Sequence, residues 1–331
     1  MGLSKSIMFS AIQPSGKLTL GNYIGTISHW MHIQDMYNCI YSIADLHAIT
    51  VNQDKKLFQQ NILDTLALYL ASGVNPKKSI IFVQSEVQEH CQLNWILNCH
   101  TYFGELIRMT QFKQKSKINP NNINIGLFNY PILMAADILL YQSDTVLVGH
   151  DQIQHVELAR KIAKRLNFLY GQVVTVPKIY IPNKNGSKIM ALLNPIKKMS
   201  KSDSNLNNII FLLDDHKCVV KKIARSITDS DNKIFYDTVN KPGISNLLNI
   251  YSSLTGTSIS VLENMFVNTT YKNFKLLVTQ SILDILLKLQ EKFFYFKNKK
   301  DYLRDILDIG ASLAKKEAQK TIQKLYNVLG L

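Results

Sequence analysis

The chain has 331 residues, enough for one large domain or two of ordinary size, and 46% of them are hydrophobic, so a substantial core can form. Lys and Arg outnumber Asp and Glu by 38 to 24, and the resulting net charge of +14 favours a polyanionic partner such as nucleic acid or a nucleotide. The four cysteines form no CxxC pair, and the sequence has neither a signal peptide nor an apolar run near the ~20 residues of a membrane span, so we expect a cytoplasmic protein with reduced thiols.

The first predicted elements are a strand, a polar turn and a helix. The apolar run 7–12 predicts a buried strand, Gln13-Pro14-Ser15-Gly16 follows as a turn signal, and Gly21-Asn22 precedes a helical pattern. This order is typical of phosphate sites, because the N–H groups at a helix start favour an anion and a glycine lets a ligand approach the backbone. Many α/β proteins begin in this way, so the pattern alone does not identify a nucleotide site.

Strands then alternate with helices along the chain. We predict strands at 39–45, 79–83 and 146–149, and an amphipathic helix at 55–72. Such alternation indicates an α/β fold with a mostly parallel sheet, in which ligands bind at the carboxyl ends of strands. The polar side chains expected at such ends are Gln13, Ser15, Asp45 and His47.

The segment 86–109 is predicted to be mainly helical and contains two pairs of possible metal ligands, His90-Cys91 and Cys99-His100. On one helix only positions three or four apart face the same way, whereas these pairs lie eight to ten residues apart. Zinc ligands rarely have this spacing. We therefore expect core cysteines and surface histidines here, and no metal site.

A nearly continuous apolar pattern surrounds a single carboxylate at 130–141. Pro131 suits a helix start, and the pattern predicts a buried helix with Asp137 in its middle. A buried carboxylate is costly unless a donor meets it. The donor could be internal, an arginine or a backbone N–H, or it could be an N–H or O–H of a ligand in an aromatic pocket.

Two further polar stretches complete this part of the chain. His150-Asp151-Gln152 follows the strand 146–149, although Asp151 could simply cap the next helix. The segment 197–203 contains three lysines and two serines within six residues and could surround a polyphosphate, although on its own it is more typical of a solvated basic loop. From about residue 205 the strand signals stop and only helical patterns follow.

Together these motifs resemble the class I aminoacyl-tRNA synthetases, and most closely the bacterial-type tryptophanyl-tRNA synthetases. Lys198-Met199-Ser200-Lys201-Ser202 matches the KMSKS signature letter for letter, and Thr19-Leu20-Gly21-Asn22 stands at the HIGH signature in the form that tryptophan enzymes use. The segments that also match are 12–16, 21–25, 134–141 and 241–248, so the likeness runs nearly end to end.

The resemblance implies a Rossmann-like parallel-sheet catalytic domain at 1–205, with an inserted helical dimerisation segment at about 86–140, and an all-helical anticodon-binding domain at 206–331. It implies a tryptophan–tRNA ligase that activates L-tryptophan with ATP, releases pyrophosphate and transfers tryptophan to the 3′ end of its tRNA. The implied partners are ATP with Mg²⁺, L-tryptophan, tRNA(Trp) and a second copy of the chain in a homodimer, with no tightly bound cofactor and no membrane.

The resemblance also assigns roles to particular residues. The charge on pyrophosphate would be stabilised by Lys198, Ser200, Lys201 and Lys115. ATP would be held by Gln13, Pro14, Ser15, Gly21, Asn22, Gly149, His150, Asp151, Ile189, Lys198, Met199, Ser200, Lys201 and Ser202. Tryptophan would be held by Asp137, which accepts the indole N–H, and by Phe9, His47, Tyr130, Met134 and Gln152. No metal held by the protein itself is implied.

Two other functions fit part of the pattern: a tyrosyl-tRNA synthetase, and a non-catalytic tRNA-binding paralogue. The contexts 13–16 and 134–137 favour tryptophan over tyrosine, and the intact signature lysines favour catalysis. The sequence departs from the family at Ala11, His150 and Ser204, where Gly, an acidic residue and Pro are common. We therefore expect His150 to make a backbone contact or none.

Overall fold

The structure, a computed structural model, describes residues 5–14, 17–113, 124–181, 188–201 and 203–331. Contacts divide the chain into two compact units. The first unit comprises Met1–Ser15, Met31–Ile181 and Phe296–Leu331, and the second comprises Gly16–Trp30 and Pro182–Tyr295. Among the described helices, none is both long enough and apolar enough to cross a membrane.

The first unit is built on a five-stranded parallel sheet, which confirms the predicted Rossmann-like fold class. Its strands are β1 (Ile7–Ile12), β2 (Asn38–Ile43), β3 (Ser79–Val83), β4 (Thr145–Leu147) and β5 (Lys178–Tyr180). They lie in the order β3-β2-β1-β4-β5, and every pairing is parallel. The chain order reverses at β1, so the carboxyl ends of β1 and β4 flank the switch point where doubly wound sheets bind ligands.

The helices are α1 (Leu20–Asn22), α2 (Ser28–Met36), α3 (Asp45–Ala48), α4 (Lys55–Ala71), α5 (Glu89–Cys99), α6 (Phe103–Leu106), α7 (Ile125–Leu140), α8 (Ile153–Tyr170), α9 (His216–Ala224), α10 (Pro242–Thr255), α11 (Ile259–Met265), α12 (Tyr271–Lys297) and α13 (Lys300–Leu329). A π-helical turn, Tyr23–Ile27, joins α1 to α2. The predicted amphipathic helix at 55–72 is confirmed as α4, whose N-cap Asp54 accepts a hydrogen bond from the N–H of Leu57 at 2.9 Å.

Helix α7 is the buried helix that the sequence predicts, but it starts six residues before Pro131. Asn124 caps it by accepting a hydrogen bond from the N–H of Leu127 at 2.8 Å, and Pro131 lies inside the helix. The expectation that Pro131 begins the helix is therefore wrong, because a polar side chain upstream supplies the cap. Apolar residues of α7 join a core cluster with strand residues such as Phe9 and Phe82.

Candidate active site

Asp137 lies in the middle of α7, is 2% exposed and is met by three side-chain donors. Its Oδ2 lies 2.7 Å from Nε2 of His47, which follows the carboxyl end of β2. Its Oδ1 accepts hydrogen bonds at 2.7 Å from Nε2 of Gln84, which follows β3, and from Nδ1 of His90 at the start of α5. The parallel sheet thus delivers two of these donors at the ends of neighbouring strands.

The hydrogen bonds of His90 fix which of its nitrogens carries hydrogen. Nε2 of His90 lies 2.8 Å from the hydroxyl of Tyr141. Burial, followed by the charges of Asp137 and Glu89, raises the pKa of Tyr141, so its hydroxyl keeps its proton. Because the ionised carboxylate of Asp137 can only accept, Nδ1 of His90 carries hydrogen and donates it to Oδ1.

The carboxylate of Asp137 stays ionised despite its burial. Burial alone would raise its pKa, but the charges and hydrogen bonds of His47 and His90 outweigh that effect and hold the pKa below its ordinary value of 3.8. The sequence left open whether an internal donor or a ligand donates to Asp137. The structure shows internal donors, which are two histidines and a glutamine rather than the arginine or backbone N–H considered above.

Aromatic side chains line the surroundings of this carboxylate, as the sequence predicts. Phe9 on β1 stacks on Tyr141 with ring centres 5.9 Å apart, and the ring of Tyr130 meets that of His47 edge-on at 6.3 Å. Met134, one turn before Asp137, is half-buried against the same core. Of the expected tryptophan site, Phe9, His47, Tyr130, Met134 and Asp137 are therefore brought together.

A cleft of about 310 Å³ opens beside Tyr130. It is lined by Leu46, Ile49, Thr50, Asn94, Asn124, Gly126, Asn129, Tyr130 and Leu133, which come from the turn after β2 and from α5 and α7. The lining is largely apolar with a few amide groups, a composition typical of small-molecule sites.

A second polar chain connects Tyr130 with the segment after β4. The amide Nε2 of Gln111 donates to the carbonyl of Asp151 at 3.0 Å, so its Oε1 accepts the Tyr130 hydroxyl at 3.1 Å. Since that hydroxyl has only one proton, the buried Nε2 of His155, 3.0 Å away, must be the donor to the Tyr130 oxygen. Gln152, expected in the tryptophan site, instead donates to the Asp151 carboxylate at 3.0 Å.

The expected ATP residues of the first unit fall at the switch point of the sheet. Gln13 and Pro14 follow β1, and Gly149, His150 and Asp151 follow β4. A Cβ added to Gly149 would be 3.0 Å from Oδ1 of Asp151, so a larger residue here would require the Asp151 side chain to move. Asp151 does not cap α8, because the N-cap position is Gln152 and no side chain makes a capping bond.

In the second unit, Thr19 and Asn22 form a reciprocal capping box. The N–H of Asn22 donates to Oγ1 of Thr19 at 3.2 Å, and the N–H of Thr19 donates to Oδ1 of Asn22 at 3.0 Å. Asn22 is exposed and its Nδ2 donates to none of the described residues. The position where a Cβ of Gly21 would stand is 3.7 Å from Cβ of Ile189, so the HIGH-like turn and the expected adenine-site residue are neighbours.

The signature loop is held as one side of a short antiparallel pairing in the second unit. The N–H of Ala191 donates to the carbonyl of Lys197 at 2.8 Å, and the N–H of Met199 donates to the carbonyl of Ile189 at 2.9 Å. Strand-like alternation buries Met199 and exposes Lys198 and Ser200 on either side of it, and the next residue, Lys201, is also exposed.

The segment 241–248, which matches the family in sequence, holds this pairing in place. Asn246 on α10 accepts a hydrogen bond from the N–H of Met190 at 2.8 Å and donates to the carbonyl of Met190 at 2.9 Å. A Cβ on Gly243 would lie 1.9 Å from the carbonyl oxygen of Ile227, so only glycine allows this close approach.

The structure contradicts one prediction made from the sequence, and some of the predicted site residues lie outside the described part of the chain. The expectation of core cysteines and surface histidines at 90–100 is wrong, because His90 is fully buried whereas Cys91 and Cys99 are exposed. Gln84 and His90 were not expected in the site, and no signal in the sequence singles them out apart from their place after β3.

Three expected site residues lie outside the described residues: Ser15, Lys115 and Ser202. The described residues contain no cluster of three or more His, Cys, Asp or Glu suited to a metal ion.

The parallel sheet, the HIGH-like turn and the KMSKS loop together define a class I aminoacyl-tRNA synthetase. The family described as tRNA synthetases class I (W and Y) matches residues 3–287, and the chain belongs to this family. The Tryptophan--tRNA ligase of Buchnera aphidicola subsp. Schizaphis graminum (strain Sg) is 54% identical over 98% of each chain.

Two solved structures show the same relationship. The tryptophanyl-tRNA synthetase from Mycoplasma pneumoniae has a TM-score of 0.91 at 36% identity, with 98% of both chains covered. The tryptophanyl-tRNA synthetase from Campylobacter jejuni, complexed with ADP and tryptophan, has a TM-score of 0.81 at 34% identity, covering 98% of this chain and 100% of that one.

Proposed function

We propose that the protein is a tryptophan–tRNA ligase. In the first step a carboxylate oxygen of tryptophan attacks the α-phosphorus of ATP and the bond to pyrophosphate breaks, which leaves tryptophanyl-adenylate. In the second step the terminal ribose hydroxyl of the tRNA attacks the carbonyl carbon and AMP leaves. The 54% identity to a Tryptophan--tRNA ligase over nearly the whole chain supports the choice of amino acid.

The observation that carries the proposal within the site is the buried, ionised Asp137 among aromatic side chains. Asp137 accepts the indole N–H, and Phe9, Tyr130 and Met134 supply the flanking surface. A site built to accept a hydrogen bond rejects a ligand without the donor far better than apolar fit alone. Phenylalanine, which lacks a ring donor, is excluded on that ground. Gln152 joins this site by turning from Asp151 to the substrate.

The ATP residues are proposed from their positions. In the first unit Gln13, Pro14, Gly149, His150 and Asp151 stand at the switch point of the sheet, where nucleotides bind in doubly wound folds. In the second unit the contributing residues are Gly21, Asn22, Ile189, Lys198, Met199, Ser200 and Lys201. The resemblance adds Ser15, Lys115 and Ser202.

Lys198 and Lys201 supply the chemistry, since exposed ammonium groups on an anchored loop stabilise the negative charge that develops on pyrophosphate. Mg²⁺ enters with ATP as part of the substrate. The reaction takes place in the cytoplasm, where tRNA is charged, and the helical domain 206–331 contacts the anticodon part of tRNA(Trp).

We also propose that the chain acts as a homodimer through the segment 86–140. This segment exposes large apolar side chains: Trp95 is 71% exposed, Phe103 68% and Tyr102 65%. Exposed large apolar side chains of this kind are typical of an interface when they adjoin one another. Sedimentation should give a dimer, and Trp95→Lys should shift it to monomer; a wild-type monomer at micromolar concentration would contradict the assembly without touching the proposed activity.

ATP–pyrophosphate exchange with tryptophan, tyrosine and phenylalanine tests the activity. We expect exchange with tryptophan alone, and exchange with tyrosine but not tryptophan would make the chain a tyrosyl-tRNA synthetase. Lys201→Ala should lower exchange by about 10²-fold or more. Unchanged exchange in this variant would refute the catalytic role of the loop, and no exchange with any amino acid, together with retained tRNA binding, would identify a non-catalytic paralogue.

A further inference from the structure

We infer that His90 and Gln84 are positioning residues for amino-acid selection. They occupy Oδ1 of Asp137 and so orient Oδ2 toward the N–H of the substrate ring. The inference rests on the proposed function, in which Asp137 receives the indole N–H. Both side chains are fully buried, and neither has a role in the two proposed reaction steps.

The two carboxylate oxygens of Asp137 are occupied unequally. Oδ1 accepts two hydrogen bonds at 2.7 Å, from Gln84 and His90, whereas Oδ2 accepts one at 2.7 Å, from His47. Each carboxylate oxygen has about two acceptor directions. Oδ1 is therefore saturated by the protein, and the direction that remains for a ligand belongs to Oδ2.

The donors to Oδ1 are themselves fixed. Nε2 of His90 lies 2.8 Å from the hydroxyl of Tyr141, so hydrogen bonds hold both ring nitrogens of His90. The ring of His90 stacks on Phe82 with centres 5.8 Å apart. Asp45 accepts the N–H of Ser85 at 3.0 Å, which holds the backbone beside Gln84. The carboxylate consequently cannot turn about its Cβ–Cγ bond without breaking two charge-assisted hydrogen bonds.

This fixed carboxylate has a consequence for specificity. An ionised acceptor held in one orientation makes a strong bond to a ring N–H, and one acceptor direction of the buried carboxylate stays empty when the ring lacks that N–H. If the donors to Oδ1 are removed, the carboxylate can rotate and its pKa rises, so the missing N–H costs less. Discrimination should then fall more than the affinity for tryptophan itself.

The test compares tryptophan with β-(3-benzothienyl)alanine, in which sulfur replaces the indole N–H. The measured quantity is the ratio of kcat/KM for the two amino acids in ATP–pyrophosphate exchange. His90→Leu and Gln84→Leu should each lower this ratio by about tenfold or more. His90→Asn, whose amide N–H can stand near the position of Nδ1, should keep the ratio within about threefold of wild type, and Tyr141→Phe should give an intermediate ratio.

A merely structural role would lower kcat/KM for both amino acids alike and leave the ratio unchanged. His100→Asn is the matched control, because His100 ends the same helix and bonds the Ile96 carbonyl and the Tyr170 hydroxyl, away from Asp137. Its ratio should equal that of wild type. Should His90→Leu fail to fold, Gln84→Leu and Tyr141→Phe carry the comparison.

Substitution of Asp137 separates the two levels of the proposal. Asp137→Leu, which has no acceptor, accompanies Asp137→Asn, whose amide oxygen can still accept an N–H. If Asp137→Leu keeps the wild-type ratio, Asp137 does not receive the indole N–H and the proposed site is wrong. If Asp137→Leu abolishes discrimination while His90→Leu and Gln84→Leu retain it, the proposed site stands and the positioning role is refuted.

Discussion

Gly310 on α13 lies directly against the backbone of Ile81 on β3. A Cβ added to this glycine would be 1.7 Å from the carbonyl oxygen of Ile81 and 2.7 Å from its carbonyl carbon. Helix α13 can therefore approach the strand only because residue 310 has no side chain. The last helix of the chain belongs to the same compact unit as the sheet.

Gly310→Ala should destabilise the protein by about 2 kcal/mol or more, since the neighbour that must give way is backbone rather than a flexible side chain. Chemical denaturation measures the free energy of unfolding. Gly25→Ala is the control, because a Cβ there meets nothing within 4 Å, and it should change stability by less than about 0.5 kcal/mol. Equal effects of the two substitutions would refute the close contact.

Much of the sheet could be predicted from sequence because buried parallel strands are apolar runs. The runs 7–12 and 79–83 are strands with those bounds, and 39–45 differs from β2 by one or two residues at its ends. By contrast β5 was missed, since Lys178–Tyr180 is three residues long and half-exposed, which leaves no pattern to detect. The packing of α13 on β3 was also missed, because one glycine in a helical pattern does not reveal its neighbour.

The site was predicted unevenly for a similar reason. Asp137 stands out in the sequence because a lone carboxylate interrupts an apolar helix. Its partners His90 and Gln84 do not stand out, because hydrogen bonding across 47 and 53 residues follows from the fold and not from local spacing. Histidine next to cysteine looked like a surface feature, whereas burial of His90 depends on a charged partner that only the tertiary structure supplies.

The stability of the protein should depend on the ionisation of Asp137. Its pKa in the folded state lies below the ordinary value of 3.8, so the ionised carboxylate stabilises the fold above that pH, and this contribution is lost as the pH falls toward the folded-state pKa. The difference in unfolding free energy between wild type and Asp137→Asn should therefore be largest near neutral pH and shrink below about pH 4.

Denaturant titrations at several pH values measure this difference. Asp284→Asn, which alters an exposed carboxylate on α12, serves as the control and should give a small difference at every pH. A wild-type advantage over Asp137→Asn that persists unchanged into acid would show that the carboxylate is not held ionised by its histidine neighbours.

Asn246 should matter to the ATP step although it is distant in sequence from the signature loop. Its amide makes both hydrogen bonds to the backbone of Met190, on the strand that pairs with the loop. Asn246→Ala leaves two backbone groups unpaired and should lower ATP–pyrophosphate exchange by about tenfold, with tryptophan binding unchanged. Asn249→Ala, one turn further on α10 with a weaker 3.4 Å contact to Tyr236, should have little effect, and equal losses in both variants would contradict the proposed support of the loop.

Gln111 should couple amino-acid binding to nucleotide binding, because its one amide joins the Tyr130 hydroxyl to the carbonyl of Asp151. Tryptophan should therefore tighten the binding of a non-hydrolysable ATP analogue to the wild type, and by linkage the analogue should tighten tryptophan binding by the same factor. Gln111→Ala removes both hydrogen bonds and should reduce this factor by about threefold or more. Calorimetric titration of each ligand, in the presence and in the absence of the other, measures this coupling factor. Gln323→Ala, on the exposed face of α13, is the matched control, and a coupling factor unchanged in Gln111→Ala would mean that the two ligands communicate by another route.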